Sequence, residues 1–138
     1  SPSVAAPPTP ARRLARQTVL LIEDNPLNQF VARRMLEGMG YVVDTASSGG
    51  EGLARLSTRR HAAVLLDLQM PGMDGFATAV RIRAQFGPAL AIIAVSAQVS
   101  KEQRERCFAL GMDGFVPKPL LRETLEAALV RLLPKRSA

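Results

Sequence analysis

The chain has no tryptophan, one tyrosine, one cysteine and one histidine among its 138 residues. A single Cys107 excludes an intramolecular disulfide, and with only His61 to join it there is no Cys/His zinc site either. It suits a reducing compartment and reads as a packed helix residue. With so few aromatics, no basic run is interleaved with the rings on which single-stranded nucleic acid stacks. Long apolar runs are missing too. The longest, Ala89 to Val95, falls far short of the roughly 20 residues that a membrane-spanning helix needs.

Negative charge is in short supply, with 12 acidic against 18 basic residues and a net charge of +6. Position decides what that means. Arg12, Arg13, Arg16, Lys135 and Arg136 hold five of the six excess charges at the chain ends, so the body from Gln17 to Leu133 is almost neutral. A near-neutral body is not a nucleic-acid-binding face. The expectation is a domain that contacts neither nucleic acid nor membrane. The opening residues also lack the charged-then-apolar order of a secretory signal, which points to a cytoplasmic setting.

What is present is a chain long enough for one domain with a real core. Ser1 to Ala11 holds four prolines among Ser, Thr and Ala, and 1–16 reads as a disordered linker or a leftover of cloning. The chain does not begin with Met, as expected of a piece of something longer. The domain is assigned to 17–133 and a tail to 134–138. Thr18 to Ile22 is an apolar run that ends on Glu23-Asp24. Asn25-Pro26 then reads as a helix cap with proline in the first turn, and Leu27, Phe30, Val31, Met35, Leu36 and Met39 recur at helical spacing up to Gly40. Tyr41-Val42-Val43 is a short strand with Asp44 leading outward. Ser47-Ser48-Gly49-Gly50 reads as a loop before a short helix from Glu51 to Ser57. Ala63 to Leu66 is a third buried run, and it stops on Asp67.

Beyond the Gly-rich loop after Asp67, a helix carrying Phe76, Val80 and Ile82 runs to about Gln85 and is stopped by Gly87-Pro88. Ala89 to Val95 ends on Ser96-Ala97-Gln98. Lys101 to Leu110 forms a helix with little apolar surface, which should pack loosely. Gly114-Phe115-Val116 is a brief strand leading into Pro117-Lys118-Pro119, and Leu121, Leu125, Ala128, Leu129 and Leu132 line one stripe of a last helix. Alternation of this kind predicts an α/β fold, a doubly wound five-stranded parallel sheet with five helices. In such sheets function collects beyond the carboxyl ends of the strands. Those ends carry Glu23, Asp24, Asp67, Ser96 and Lys118. An Asp at a strand end is by itself only a turn former.

Together the five residues mean more. Two carboxylates about 4 Å apart repel by roughly 4 kcal/mol at an effective dielectric near 20. Three carboxylates and one lysine leave a formal charge of −2, which one divalent cation cancels. Oxygen-only ligands select a hard ion, and Mg2+ fits best. A carboxylate nucleophile, a divalent ion, a lysine and a hydroxyl suggest phosphoryl transfer to Asp67, with Lys118 and Ser96 stabilising the transferred oxygens. His61 precedes the third strand at its far end and reads as a surface residue without a role.

The motifs Leu21-Ile22-Glu23-Asp24-Asn25, Leu66-Asp67-Leu68-Gln69-Met70-Pro71-Gly72-Met73-Asp74-Gly75, Val95-Ser96-Ala97 and Val116-Pro117-Lys118-Pro119 resemble those of CheY-like response-regulator receiver domains. The resemblance covers roughly 18 to 133 and implies the flavodoxin-like strand order 2-1-3-4-5. It implies that Asp67 accepts a phosphoryl group from a phosphohistidine. Mg2+ would be held by Asp24, Asp67 and the backbone carbonyl of Gln69, with Glu23 helping through water. Ser96 and Phe115 match the family's switch pair, and Gln69 and Gln98 match positions that tune dephosphorylation. The Lys118-Pro119 bond is expected to be cis. Glu23 stands where aspartate is common, Ser96 where threonine is, and Pro117 adds a second proline, but no required group is lost.

The domain would assist its own phosphorylation and dephosphorylation. The resemblance further implies a histidine kinase domain, in the same parent chain or not, or a histidine phosphotransfer protein as partner, docking on the first helix and the site loops. The preferred setting is a hybrid sensor histidine kinase, whose parent chain is free to be membrane-anchored. A stand-alone regulator is the alternative. A flavodoxin-like electron carrier fits poorly, since its flavin phosphate would meet Glu23 and Asp24. An aspartate-nucleophile phosphatase would need a second Asp where Gln69 stands.

Overall fold

The computed structural model describes residues 17–70 and 74–133. The linker assigned to 1–16, the tail 134–138 and Pro71-Gly72-Met73 of the loop after Asp67 lie outside the described residues. Among the described residues ten elements alternate: β1 (Thr18–Ile22), α1 (Pro26–Gly38), β2 (Val42–Ala46), α2 (Gly49–Thr58), β3 (Ala63–Asp67), α3 (Gly75–Phe86), β4 (Ala91–Ser96), α4 (Lys101–Ala109), β5 (Gly114–Pro117) and α5 (Arg122–Leu132). The sheet is parallel throughout, in the order β2-β1-β3-β4-β5. The doubly wound parallel sheet is the one that the alternation predicts, and its order is the flavodoxin-like one that the resemblance implies.

Alternation along the strands divides the core in two. Leu20, Ile22, Val64, Leu66, Ile92 and Ala94 point to the face covered by α2, α3 and α4. Val19, Leu21, Leu65, Ile93, Val95 and Val116 point to the face covered by α1 and α5. β3 and β4 are buried along their whole length, which is why their runs are apolar without a polar alternate.

The helix starts are set by side chains. Asn25 Oδ1 accepts from the backbone N–H groups of Leu27 (2.9 Å) and Asn28 (3.1 Å), with Pro26 in the first turn, as the sequence suggests. Gly40, at φ 97°, follows the end of that helix. At α2, Ser48 Oγ accepts from the Glu51 N–H (3.1 Å) and Glu51 Oε1 reaches back to the Ser47 N–H (2.8 Å). This reciprocal cap draws Gly49 and Gly50 into the helix, so the loop expected over Ser47–Gly50 is shorter and the helix begins earlier than Glu51. β2 likewise starts at Val42 and continues to Ala46, because its register with β1 carries on to Ile22.

Two packing expectations, for Leu121 and His61, are corrected, and the α1 stripe is only partly buried. In α1 only Ala32 and Leu36 are buried, while Leu27, Phe30 and Val31 are exposed, so the apolar stripe is wider than the core it meets. Leu121 caps α5 from outside and is exposed; Leu125, Ala128 and Leu129 are the buried stripe. His61 is not a surface residue. Its side chain is buried, with Nε2 3.1 Å from Asp44 Oδ2 and Nδ1 3.2 Å from the Arg59 carbonyl. It does lie at the far end of the sheet from the site, before β3. The loose packing expected of α4 is observed: Cys107 is its one buried residue, and burial pushes that thiol's pKa up.

One arginine fixes the turns that frame β4. Arg83, near the end of α3, donates through Nε to the Gly111 carbonyl (2.8 Å) and through Nη1 to the carbonyls of Gly87 (3.0 Å) and Leu90 (2.5 Å). Its Nη2 lies 2.5 Å from Asp113 Oδ2, which also accepts from the Ile92 N–H at 2.9 Å. Arg83→Ala would strip partners from three carbonyls and a carboxylate at once. A loss of roughly 2–4 kcal/mol is expected by urea denaturation, with Arg83→Lys recovering only part because an ammonium lacks the guanidinium fork.

Candidate functional site

Four strand ends converge on one edge of the sheet. β1 delivers Glu23, which is buried and whose Oε2 accepts from the Asn25 N–H at 2.9 Å. Gln29 on the next turn of α1 donates from Nε2 to the Glu23 carbonyl at 2.9 Å, tying the acidic turn to the helix. The sequence reading missed this contact, since an exposed-looking Gln on a helix carries no signal of its partner. β3 delivers Asp67, buried at its last position. Its Oδ1 accepts from the Gln69 N–H at 2.9 Å and lies 2.9 Å from Lys118 Nζ. Lys118 directly follows β5; its backbone N–H is held by the Ser96 carbonyl at 2.9 Å, and its bond to Pro119 is cis as expected. Ser96, at the end of β4, is buried, and its Oγ accepts from the Gln98 N–H at 3.0 Å. Accepting that bond leaves the Ser96 hydroxyl proton free to be donated elsewhere.

The structure thus brings Glu23, Asp24, Asp67 and Lys118 together, with Ser96 tied to Lys118 through its backbone carbonyl. Carboxylate oxygens of Glu23, Asp24 and Asp67 lie within 4.8 Å of one another. Burial pushes the Glu23 carboxyl up to about 7 against the Asn25 N–H, and the neighbouring Asp67 adds to the rise while Lys118 opposes it. A cation between the three groups would favour all of their charged forms. The donor set fits such an ion: three carboxylates, one lysine to balance, and oxygen atoms only.

The two glutamines do different things. Gln69 Oε1 accepts from the Ala97 N–H at 2.9 Å, so this amide bridges the loops after β3 and β4. Gln98 is exposed, and its backbone rather than its amide touches the site through Ser96. Phe115 stands opposite Ala94 in the β4–β5 register, half-buried against the core face that Ala94 shares. Ser96, two residues on from Ala94, is on that same face. Beside Asp67 a groove of about 560 Å³ opens between α1 and the turn after Lys118, with Leu27, Val31, Pro119 and Leu120 among its walls.

The response regulator receiver domain model matches residues 19–130. Hybrid signal transduction histidine kinase L of Dictyostelium discoideum is 40% identical over 115 residues, which covers 78% of this chain and 7% of that protein. Sensor histidine kinase AruS of Pseudomonas aeruginosa is 37% identical over 130 residues, 92% of this chain and 13% of that one. The chain therefore spans a small part of the length of these relatives. Among solved structures, the receiver domain of a Pseudomonas aeruginosa sensor histidine kinase has magnesium coordinated in its active-site cleft. It matches with a TM-score of 0.76 at 36% identity, over 86% of this chain and 98% of that one. Chemotaxis protein CheY4 of Vibrio cholerae matches with a TM-score of 0.79 at 32% identity, over 86% of this chain and 100% of its own. Sheet order, acidic edge and sequence agree, and the chain belongs to the response regulator receiver domain family.

Proposed function

We propose that the domain, over 17–133, is the phosphoacceptor of a two-component phosphorelay and that Asp67 is the residue phosphorylated. The observation that carries this is the buried Asp67 carboxylate, paired at 2.9 Å with Lys118 Nζ and crowded by two further carboxylates. An Asp67 oxygen attacks the phosphorus of a phosphohistidine, the P–N bond breaks with its electron pair going to nitrogen, and the histidine leaves as neutral imidazole that keeps the proton on its other ring nitrogen. Lys118 then holds one transferred oxygen and the Ser96 hydroxyl another. Asp24, Asp67 and the Gln69 carbonyl, with Glu23 through water, would hold Mg2+, which supplies positive charge against the phosphoryl oxygens. Movement of the Ser96 hydroxyl toward that group, followed by the Phe115 ring, would carry the signal to the surface formed by α4, β5 and α5.

The relatives support a histidine kinase as partner, and the setting that we favour is the receiver of a hybrid sensor histidine kinase. Leu27, Phe30 and Val31, exposed on α1 beside the groove, supply an apolar landing for a kinase domain or a phosphotransfer protein. No described helix is long and apolar enough to cross a membrane.

Incubation with magnesium and a small phosphodonor should add one phosphate to the intact mass. No addition, or undiminished labelling of Asp67→Asn, would overturn the assignment. Asp24→Asn, which removes one of three crowded charges, should stabilise the metal-free domain by roughly 0.5–1 kcal/mol and abolish the rise in Tm on adding magnesium. Gln69→Ala and Gln98→Ala should each change the rate at which phosphate is lost from Asp67, Gln69→Ala more strongly because it also frees the Ala97 N–H. Unaltered decay in both, followed by mass, would remove the amides from the mechanism.

A further inference from the structure

The helix α4 is held by little apolar packing, and two arginines stand in its place. The Arg106 guanidinium lies 3.9 Å from the centroid of the Phe76 ring, at the start of α3. The Arg104 guanidinium lies 5.5 Å from the centroid of the Phe115 ring on β5. Both distances are within the reach of a cation–π contact, and Arg104 is exposed, so it reaches Phe115 from the solvent side. Phe115 shares its sheet face with Ala94 and Ser96, and the residue opposite it in the register, Ala94, is small.

We propose that Arg104 is a positioning residue that covers the Phe115 ring and so opposes its turn toward Ser96, slowing phosphorylation of Asp67. This rests on the reading of Asp67 as phosphoacceptor and of Ser96 and Phe115 as a coupled pair. A contact made in only one of two ring positions biases the equilibrium toward that position. Arg104, on α4, stands over the ring in its present position; on this proposal a ring turned toward Ser96 would lose that cover. An exposed contact of this kind sustains a population ratio of roughly two- to fivefold. The guanidinium plane matters as well as its charge, since a lysine offers no flat face to stack on the ring.

The test compares the wild-type domain with Arg104→Ala, Arg104→Lys and Arg106→Ala. Labelling of Asp67 by a small phosphodonor is timed by mass, and the ring signals of Phe115 are followed by NMR with ring-labelled phenylalanine, assigned with Phe115→Leu. Arg104→Ala should label roughly two- to fivefold faster. Its Phe115 signals should move toward those of the phosphorylated wild type, with Arg104→Lys in between. Arg106→Ala uncovers Phe76 alone and should leave the Phe115 signals in place. Unchanged ring signals in Arg104→Ala, or equal acceleration by Arg106→Ala, would overturn the proposal. A wild type that takes no phosphate would overturn the phosphoacceptor reading instead, while the ring signals still decide whether Arg104 sets the ring.

Discussion

Three carboxylates share a space less than 5 Å across at the carboxyl edge of the sheet, with a single lysine to answer them. Such crowding is unfavourable without a positive partner, and much of the surrounding structure follows from managing it. Glu23 is buried and its carboxyl is pushed up, yet it is kept in place by the Asn25 N–H and by the tether from Gln29 to its backbone. Asp67 takes one N–H from Gln69 and the ammonium of Lys118. A cation placed among the three carboxylates would relieve this tension.

The fold concentrates that tension and isolates it from the core. β3 and β4 are buried on both faces, so Asp67 and Ser96 rise from strands packed along their whole length. Arg83 fixes the turns at the other end of β4. By contrast α4 buries one residue and is otherwise held through arginine–ring contacts. Local stability follows buried apolar contact, so α4 is held less firmly than the helices with a buried apolar stripe. Phe115 lies between the two regimes, packed on the core at one side and covered by Arg104 at the other.

Much of the site was legible before any coordinates. Strands that are apolar throughout and stop on Asp67 or Ser96 announce both their burial and their useful end, and Asn25-Pro26 marks a helix start through local hydrogen bonding alone. Boundaries that depend on a partner were less legible. β2 extends to Ala46 because β1 offers it partners up to Ile22, and α2 starts at Gly49 because Glu51 reaches back past the glycines. His61 looked like a surface residue until Asp44, which sequence alone places on an outgoing turn, met its ring.

The sequence by itself determined the chemistry of the edge, because residue type and strand period decide which groups leave the ends of a parallel sheet, and those are local properties. Only the tertiary structure decided how the groups engage: that Gln69 spends its amide on Ala97, that half of the α1 stripe faces outward, and that Arg104 covers Phe115. Each of these is a contact between elements distant in sequence, or a face left without a neighbour. No periodicity within one segment specifies what another segment brings to it.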